Sequence, residues 1–128
     1  MSKNIMIVDD DPDVICIVKQ VLENPGIGYN VIPVDSGEKC LELLKDNQIP
    51  DLILLDVMMP GMTGWATFEN IRDNWSWRDI PIVFLTGRTD RMARDAGHFL
   101  GEAYIEKPFD ITDLKERIEK VLNMKNIG

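Results

Sequence analysis

Histidine is nearly absent from this chain, with one residue, His98, among 128. A lone imidazole cannot build a histidine-rich metal centre, and His98 is expected at the surface. Cysteine is almost as scarce. Cys16 and Cys40 each fall among apolar neighbours in a helical pattern, so both are expected as small buried or half-buried side chains, with a disulfide the lesser alternative. No apolar run approaches the ~20 residues needed to span a bilayer, and the Met1-Ser2-Lys3 start enters a strand without a signal-peptide pattern. The expected location is therefore the cytoplasm, away from membranes. Positive charge is also short, with 14 basic against 22 acidic residues and a net charge of −8. That balance argues against direct nucleic-acid binding by this domain. There is no internal repeat and no low-complexity linker, so one domain over residues 1–128 is expected.

What the chain does have is short, continuous apolar runs that stop on polar side chains. Leu52-Ile53-Leu54-Leu55 is the pattern of a strand buried on both faces, as in a parallel sheet. It ends on Asp56, and Pro60-Gly61 turns the chain soon afterwards. Thr63 sits closer to the next helix and can cap it, which leaves Asp56 for another task. Ile5-Met6-Ile7-Val8 is a second such run, ending on Asp9-Asp10-Asp11. Asp11 before Pro12 suits a helix N-cap with proline in the first turn. That helix runs to about Leu22, where Asn24-Pro25-Gly26 ends it. A strand over 29–34 contains Pro33, which suits an edge position. Asp35 with Glu38 resembles a capping box for a helix to about Asp46.

Further on, Thr63 opens a helix carrying Trp65, Phe68 and Ile71. Trp75 and Trp77 follow in a loop and are expected as an apolar lid over the sheet end. Ile82-Val83-Phe84-Leu85 ends on Thr86-Gly87, a weaker helix is expected over about 90–100, and 103–106 forms a fifth strand leading to Lys107-Pro108-Phe109. Ile111, Leu114, Ile118, Val121 and Leu122 share one face of a last helix. Strand and helix alternate five times, which predicts an α/β flavodoxin-like fold: a doubly wound five-stranded parallel sheet, order 2-1-3-4-5, with five helices in a single domain.

In that order Asp9 and Asp10 lie beside Asp56, because neighbouring strands are only about 4.8 Å apart. Crowded carboxylates either raise one another's pKa or recruit a cation. Oxygen-only donors suit a hard ion such as Mg²⁺. Thr86 adds a hydroxyl and Lys107 a fixed positive charge. Such a cluster suits a many-oxygened anion, best of all a phosphoryl group on Asp56.

The same residues carry a family likeness. Val8-Asp9-Asp10, Leu55-Asp56-Val57-Met58-Met59-Pro60-Gly61-Met62-Thr63-Gly64, Thr86, and Tyr104 with Lys107-Pro108-Phe109 make the chain resemble a response-regulator receiver domain of two-component signalling, with its core over about 3–125. The resemblance implies that Asp56 accepts a phosphoryl group from a sensor histidine kinase or a phosphotransfer protein. It also implies that Asp9, Asp10, Asp56 and the Met58 backbone carbonyl hold Mg²⁺. Thr86 and Lys107 would bind phosphoryl oxygens, and Tyr104 would move inward with Thr86. The module would be a switch and not an enzyme in the ordinary sense, catalysing at most its own phosphorylation and dephosphorylation.

Three departures from the usual pattern stand out. Gly87 replaces the usual alanine or serine, Leu100-Gly101-Glu102-Ala103 lacks the usual acidic pair, and Met58 is an apolar residue two after the acceptor. Arg88, two after Thr86, borders the phosphoryl site in the resemblance. Arg91, Arg94 and Arg117 with Glu102, Glu106 and Glu119 are expected as a solvated surface, a homodimer face through the 90–100 helix, the fifth strand and the last helix being the alternative. Two other functions fit a strand-end aspartate less well. An aspartate-nucleophile phosphatase usually has a second aspartate where Met58 stands. A flavodoxin-like nucleotide or flavin binder needs a glycine-rich loop after a strand, and Gly26-Ile27-Gly28 follows a helix.

Overall fold

A computed structural model describes residues 3–87 and 103–127. Strands β1 (Asn4–Val8), β2 (Asn30–Val34), β3 (Leu52–Asp56), β4 (Ile82–Thr86) and β5 (Ala103–Glu106) form one parallel sheet in the order 2-1-3-4-5. The described helices are α1 (Pro12–Leu22), α2 (Gly37–Lys45), α3 (Gly64–Asp73) and α4 (Ile111–Ile127). The fold is flavodoxin-like, as expected. The fifth helix expected over about 90–100 lies outside the described residues, as do Arg88, Arg91, Arg94, His98 and Glu102.

Alternation along the strands builds two cores. Ile5, Ile7, Leu52, Leu54, Val83 and Leu85 pack with Val18 and Leu22 of α1 and with Leu114 and Ile118 of α4. Met6, Val8, Ile53, Leu55, Ile82 and Phe84 pack with Cys40 and Leu44 of α2 and with Phe68 and Ile71 of α3. Each such buried side chain contributes roughly 1.5–3 kcal/mol, which is why the polar residues of the three middle strands are confined to their ends.

Local chemistry sets most boundaries. Asp11 caps α1 by accepting the Asp13 N–H at 2.9 Å, with Pro12 in the first turn. Pro33 lies on edge strand β2, and the Val31 N–H beside it is taken by Glu23 at 3.0 Å, so this edge offers little to a stray strand. The cap of α2 is corrected by one residue: Ser36, not Asp35, accepts the Lys39 N–H, at 3.2 Å. Both residues are competent caps. Packing decides between them, because Gly37 opens the helix where a Cβ would run into the Thr67 hydroxyl of α3. The second strand starts at Asn30 and not Tyr29, and the last helix extends to Ile127.

Two further expectations are corrected. Cys16 is exposed on α1 while Cys40 is buried, and both are free thiols. The two tryptophans do not form one lid. Trp77 joins the α2/α3 core at 8% exposure, whereas Trp75 is 84% exposed, with the Arg78 guanidinium 4.8 Å above its ring. Arg117 is exposed, as expected, and it also donates to the Tyr104 carbonyl at 3.0 Å, which ties α4 to β5.

Candidate functional site

The carboxyl ends of β1, β3 and β4 and the turn after β5 converge on one cleft of about 570 Å³, lined by Asp9, Asp10, Asp11, Asp56, Met58, Gly87 and Lys107. Register explains the convergence. Val8 pairs with Leu55 and Asp56 with Leu85, so Asp9 continues β1 directly beside Asp56. Asp9, Asp56 and Lys107 also share a side of the sheet, because each is two residues past an apolar residue of the α1/α4 core: Ile7, Leu54 and Ile105. Thr86 follows Phe84 onto the opposite, α2/α3 side.

The loop after β3 is built to leave Asp56 available. Thr63 accepts the Ala66 N–H at 3.2 Å and so caps α3, as expected. Gly61 sits at φ +75, in the left-handed region, and lets the chain turn after Pro60. The Gly64 N–H returns to the Val57 carbonyl at 2.9 Å. A Cβ on Gly64 would run into the Asp56 carbonyl and come within 2.7 Å of the Val57 Cα, so glycine is required there.

Asp9 and Asp56 are both buried, and Asp10 lies exposed at the lip. One carboxylate oxygen from each of the three lies within 4.8 Å of the other two. Lys107 Nζ lies 2.7 Å from Asp9 Oδ2 and 3.5 Å from Asp56 Oδ1. Asp9 is thus held at both oxygens, since its Oδ1 accepts the Asp11 N–H at 2.9 Å. Asp56 is held more loosely, with the Met58 N–H 3.3 Å from Oδ1. Burial, together with the charge of Asp9, pushes the Asp56 carboxyl up to about 7, against the opposing pull of Lys107. Burial lowers the Lys107 pKa, but its hydrogen bond to Asp9 and the charges of Asp56 and Asp9 outweigh that, and the net direction is up. Among the described residues the site has more negative charge than its one ammonium can balance. Its donors are all hard oxygens, so the residues fit a small divalent cation.

Thr86 completes the cluster in an unusual way. It is fully buried, and its hydroxyl has no hydrogen-bond partner among the described residues. Its backbone carbonyl accepts the Lys107 N–H at 2.6 Å, which ties the two strand ends together. Tyr104 pairs in register with Phe84, two residues before Thr86, and packs half-buried against the same core. All the expected side chains except Tyr104 therefore meet at one sheet edge, and Tyr104 stands behind Thr86. The ion pair between Lys107 and Asp9 was not foreseen, nor was the cis peptide between Lys107 and Pro108. The shared side of Asp9 and Lys107 is readable from the alternation around Ile7 and Ile105.

A parallel sheet in this order, with three carboxylates, a lysine and an orphaned hydroxyl at its carboxyl edge, defines a class of phosphoryl-handling switch modules. The response regulator receiver domain model matches residues 5–119, and the chain belongs to that family, the receiver domains of two-component response regulators. The transcriptional regulatory protein YvrH of Bacillus subtilis is 39% identical over 118 residues, 91% of this chain and 48% of its own length. The transcriptional regulatory protein CpxR of Escherichia coli is 39% identical over 119 residues, 92% of this chain and again 48% of its own length. The chain thus spans about half the length of these relatives. A solved chain from Chloroflexus aurantiacus, described as a response regulator, superposes with a TM-score of 0.87 at 33% identity, covering 96% of this chain and 99% of that one. No described helix is long and apolar enough to cross a membrane.

Proposed function

We propose that Asp56 is the phosphoacceptor of this receiver domain and that residues 1–128 form one such module. The observation that carries the reading is a buried, loosely held Asp56 whose register partner Leu85 is followed directly by Thr86, a buried hydroxyl without a partner among the described residues. A buried hydroxyl without a partner costs on the order of 1–3 kcal/mol, so its retention argues for a ligand oxygen that it meets in another state. In the transfer step an ionised Asp56 oxygen bonds to phosphorus as the bond from phosphorus to the donor breaks, and the donor keeps the electron pair. Lys107 then pairs with one phosphoryl oxygen and Thr86 donates to another. Asp9, Asp10, Asp56 and the Met58 backbone carbonyl are the groups that would hold Mg²⁺. That ion, when bound, supplies charge neutralisation for the carboxylates and the incoming phosphoryl oxygens.

Thr86 and Tyr104 form the switch, because a Thr86 drawn toward the phosphoryl group leaves room beside Phe84. The donor is a sensor histidine kinase or a phosphotransfer protein, and the module works in the cytoplasm as a switch. A homodimer through β5 and α4 is one way to pass the signal on. Direct nucleic-acid contact by this domain is disfavoured by its net charge of −8. The test is incubation with acetyl phosphate and Mg²⁺, read by intact mass. One phosphoryl group should add to the protein and none to the Asp56→Asn variant. An unchanged adduct in that variant would move the acceptor elsewhere.

A further inference from the structure

The loop that leads from Asp56 into α3 is tied at both ends. The Val57 N–H donates to the Leu85 carbonyl at 3.1 Å, and the Gly64 N–H closes the loop on the Val57 carbonyl at 2.9 Å. Val57 and Met59 are buried in the α2/α3 core, and Met58 between them lines the cleft. Beyond Met59 the chain comes to the surface at Pro60 and Gly61, and there it meets the first turn of α2. A Cβ built on Gly61 would lie 3.5 Å from Glu38 Oε2. A Cβ built on Gly37 would lie 3.2 Å from the Met62 Sδ and would overlap the Thr67 hydroxyl. Gly37 is thus pressed against two side chains that both lead back to the loop. Met62 belongs to it. Thr67 is fully buried, and its hydroxyl donates at 2.9 Å to the carbonyl of Thr63, the last residue before α3.

A threonine bonded to the carbonyl four residues back is common in helices and by itself implies no function. Here another element is seated on that threonine, and it is fixed independently of the loop. Cys40 and Leu44 hold α2 in the core, and Val34, three residues before Gly37, accepts the Asp9 N–H at 3.0 Å. From this we infer that the first turn of α2 is a buttress for the acceptor loop, with Gly37 and Met62 as positioning residues that set where the Met58 backbone stands toward the metal. The inference rests on the proposed role of Asp9, Asp10, Asp56 and the Met58 carbonyl as the metal-holding groups. A carbonyl that must first be ordered binds an ion less tightly, because the ordering cost is subtracted from the binding free energy. An added methyl group on Gly37 displaces Thr67, and Thr63 with it, while it crowds Met62. Truncation of Met62 acts from the other side and leaves the loop without its contact on α2.

The experiment titrates Mg²⁺ into the full chain and follows the backbone amide NMR signals of Asp9, Asp10 and residues 56–59, which give the Kd for the ion. Gly37→Ala and Met62→Ala should each raise that Kd at least about threefold. Met62→Leu, which refills the contact with Gly37, should bring it back to the wild-type value. Leu44→Ala empties the core under the last turn of the same helix and should lower the Tm without moving the Kd. Met62→Ala adds no clash, so it carries the test if Gly37→Ala does not fold. A wild type that binds Mg²⁺ with a Kd that neither variant moves overturns the buttress and leaves the metal site standing. So does a Leu44→Ala protein whose Kd rises as much as theirs, since lost stability alone would then explain the effect. A wild type whose signals at these residues ignore Mg²⁺ overturns the metal site, and the buttress with it.

Discussion

Replacing Asp56 with asparagine should stabilise the metal-free protein above neutral pH, although it removes a buried residue from the heart of the site. Burial and Asp9 raise the Asp56 pKa from an ordinary 3.8 to about 7. In the folded state, then, an ionised Asp56 is penalised. At about 1.36 kcal/mol for each tenfold change, the full penalty is on the order of 4 kcal/mol. Asparagine keeps the shape and the oxygen that faces the Met58 N–H. Lys107 keeps its shorter contact, 2.7 Å to Asp9, so no bare cation is left behind. The new amide N–H₂ lacks a partner and costs about 1–3 kcal/mol. The balance is a gain of about 1–3 kcal/mol, or roughly 3–10 °C in Tm for a domain of this size.

The sign of the pH dependence is the sharper prediction. Between pH 4 and 7 the native protein holds a proton on Asp56 that the unfolded chain has released. Wild-type stability therefore falls as pH rises through this window and levels off above about 7. The Asp56→Asn variant lacks that contribution, so its advantage should be absent near pH 4, grow up to pH 7 and then stay constant. Urea unfolding in EDTA at a series of pH values, followed by the combined fluorescence of the three tryptophans, measures it. A wild type that is the more stable protein at pH 8, or a difference that does not vary with pH, would refute the charge-crowding account.

Mg²⁺ should raise the melting temperature of the wild type by relieving the same repulsion; Asp10→Ala should weaken that response and raise the metal-free Tm, and a Tm indifferent to saturating Mg²⁺ would exclude a metal site. Gly64→Ala should cost on the order of 3 kcal/mol in urea unfolding, because its Cβ meets the backbone of Asp56 and Val57; a neutral result would mean that the turn can relax. Trp77→Ala should cost about 3–5 kcal/mol and Trp75→Ala less than about 0.5, and equal costs would contradict their opposite burial.

The sheet and most of its site were legible because strands buried on both faces leave little ambiguity. Four-residue apolar runs that each stop on a polar side chain place those side chains at one edge once the order 2-1-3-4-5 is inferred. What escaped was set by tertiary contact. Ser36 caps α2 in place of Asp35 because Gly37 must sit against Thr67, a contact 30 residues away in sequence. Trp75 and Trp77 are two residues apart in a turn, and only the turn's geometry sends one into the core and the other into solvent. Cys16 lies in an apolar stretch of α1 that is wider than the stripe the helix buries, and only Val18 and Leu22 are fully covered. Asp9 was expected beside the metal, but its salt bridge with Lys107 depends on the turn after β5.

The placement of Thr86 gives the last prediction. Asp9, Asp56 and Lys107 share the α1/α4 side of the sheet, whereas Thr86 continues the line of Ile82 and Phe84 on the α2/α3 side. A group that reaches from one side to the edge where the others meet can convert an event at Asp56 into a shift against Phe84 and Tyr104. In the resting protein that movement breaks no hydrogen bond, because the Thr86 hydroxyl has no partner among the described residues. Its desolvation is a standing cost, which the proposed contact with a phosphoryl oxygen would recover. Thr86→Val keeps the shape and replaces the orphaned hydroxyl with a methyl group. It should therefore stabilise the resting protein by about 1–2 kcal/mol, while the protection of amide hydrogens in β5 and α4 should no longer change on adding beryllofluoride. Urea midpoints and hydrogen exchange read the two effects separately. A destabilised Thr86→Val protein would mean that the hydroxyl is already bonded at rest, and an undiminished exchange response would place the switch elsewhere.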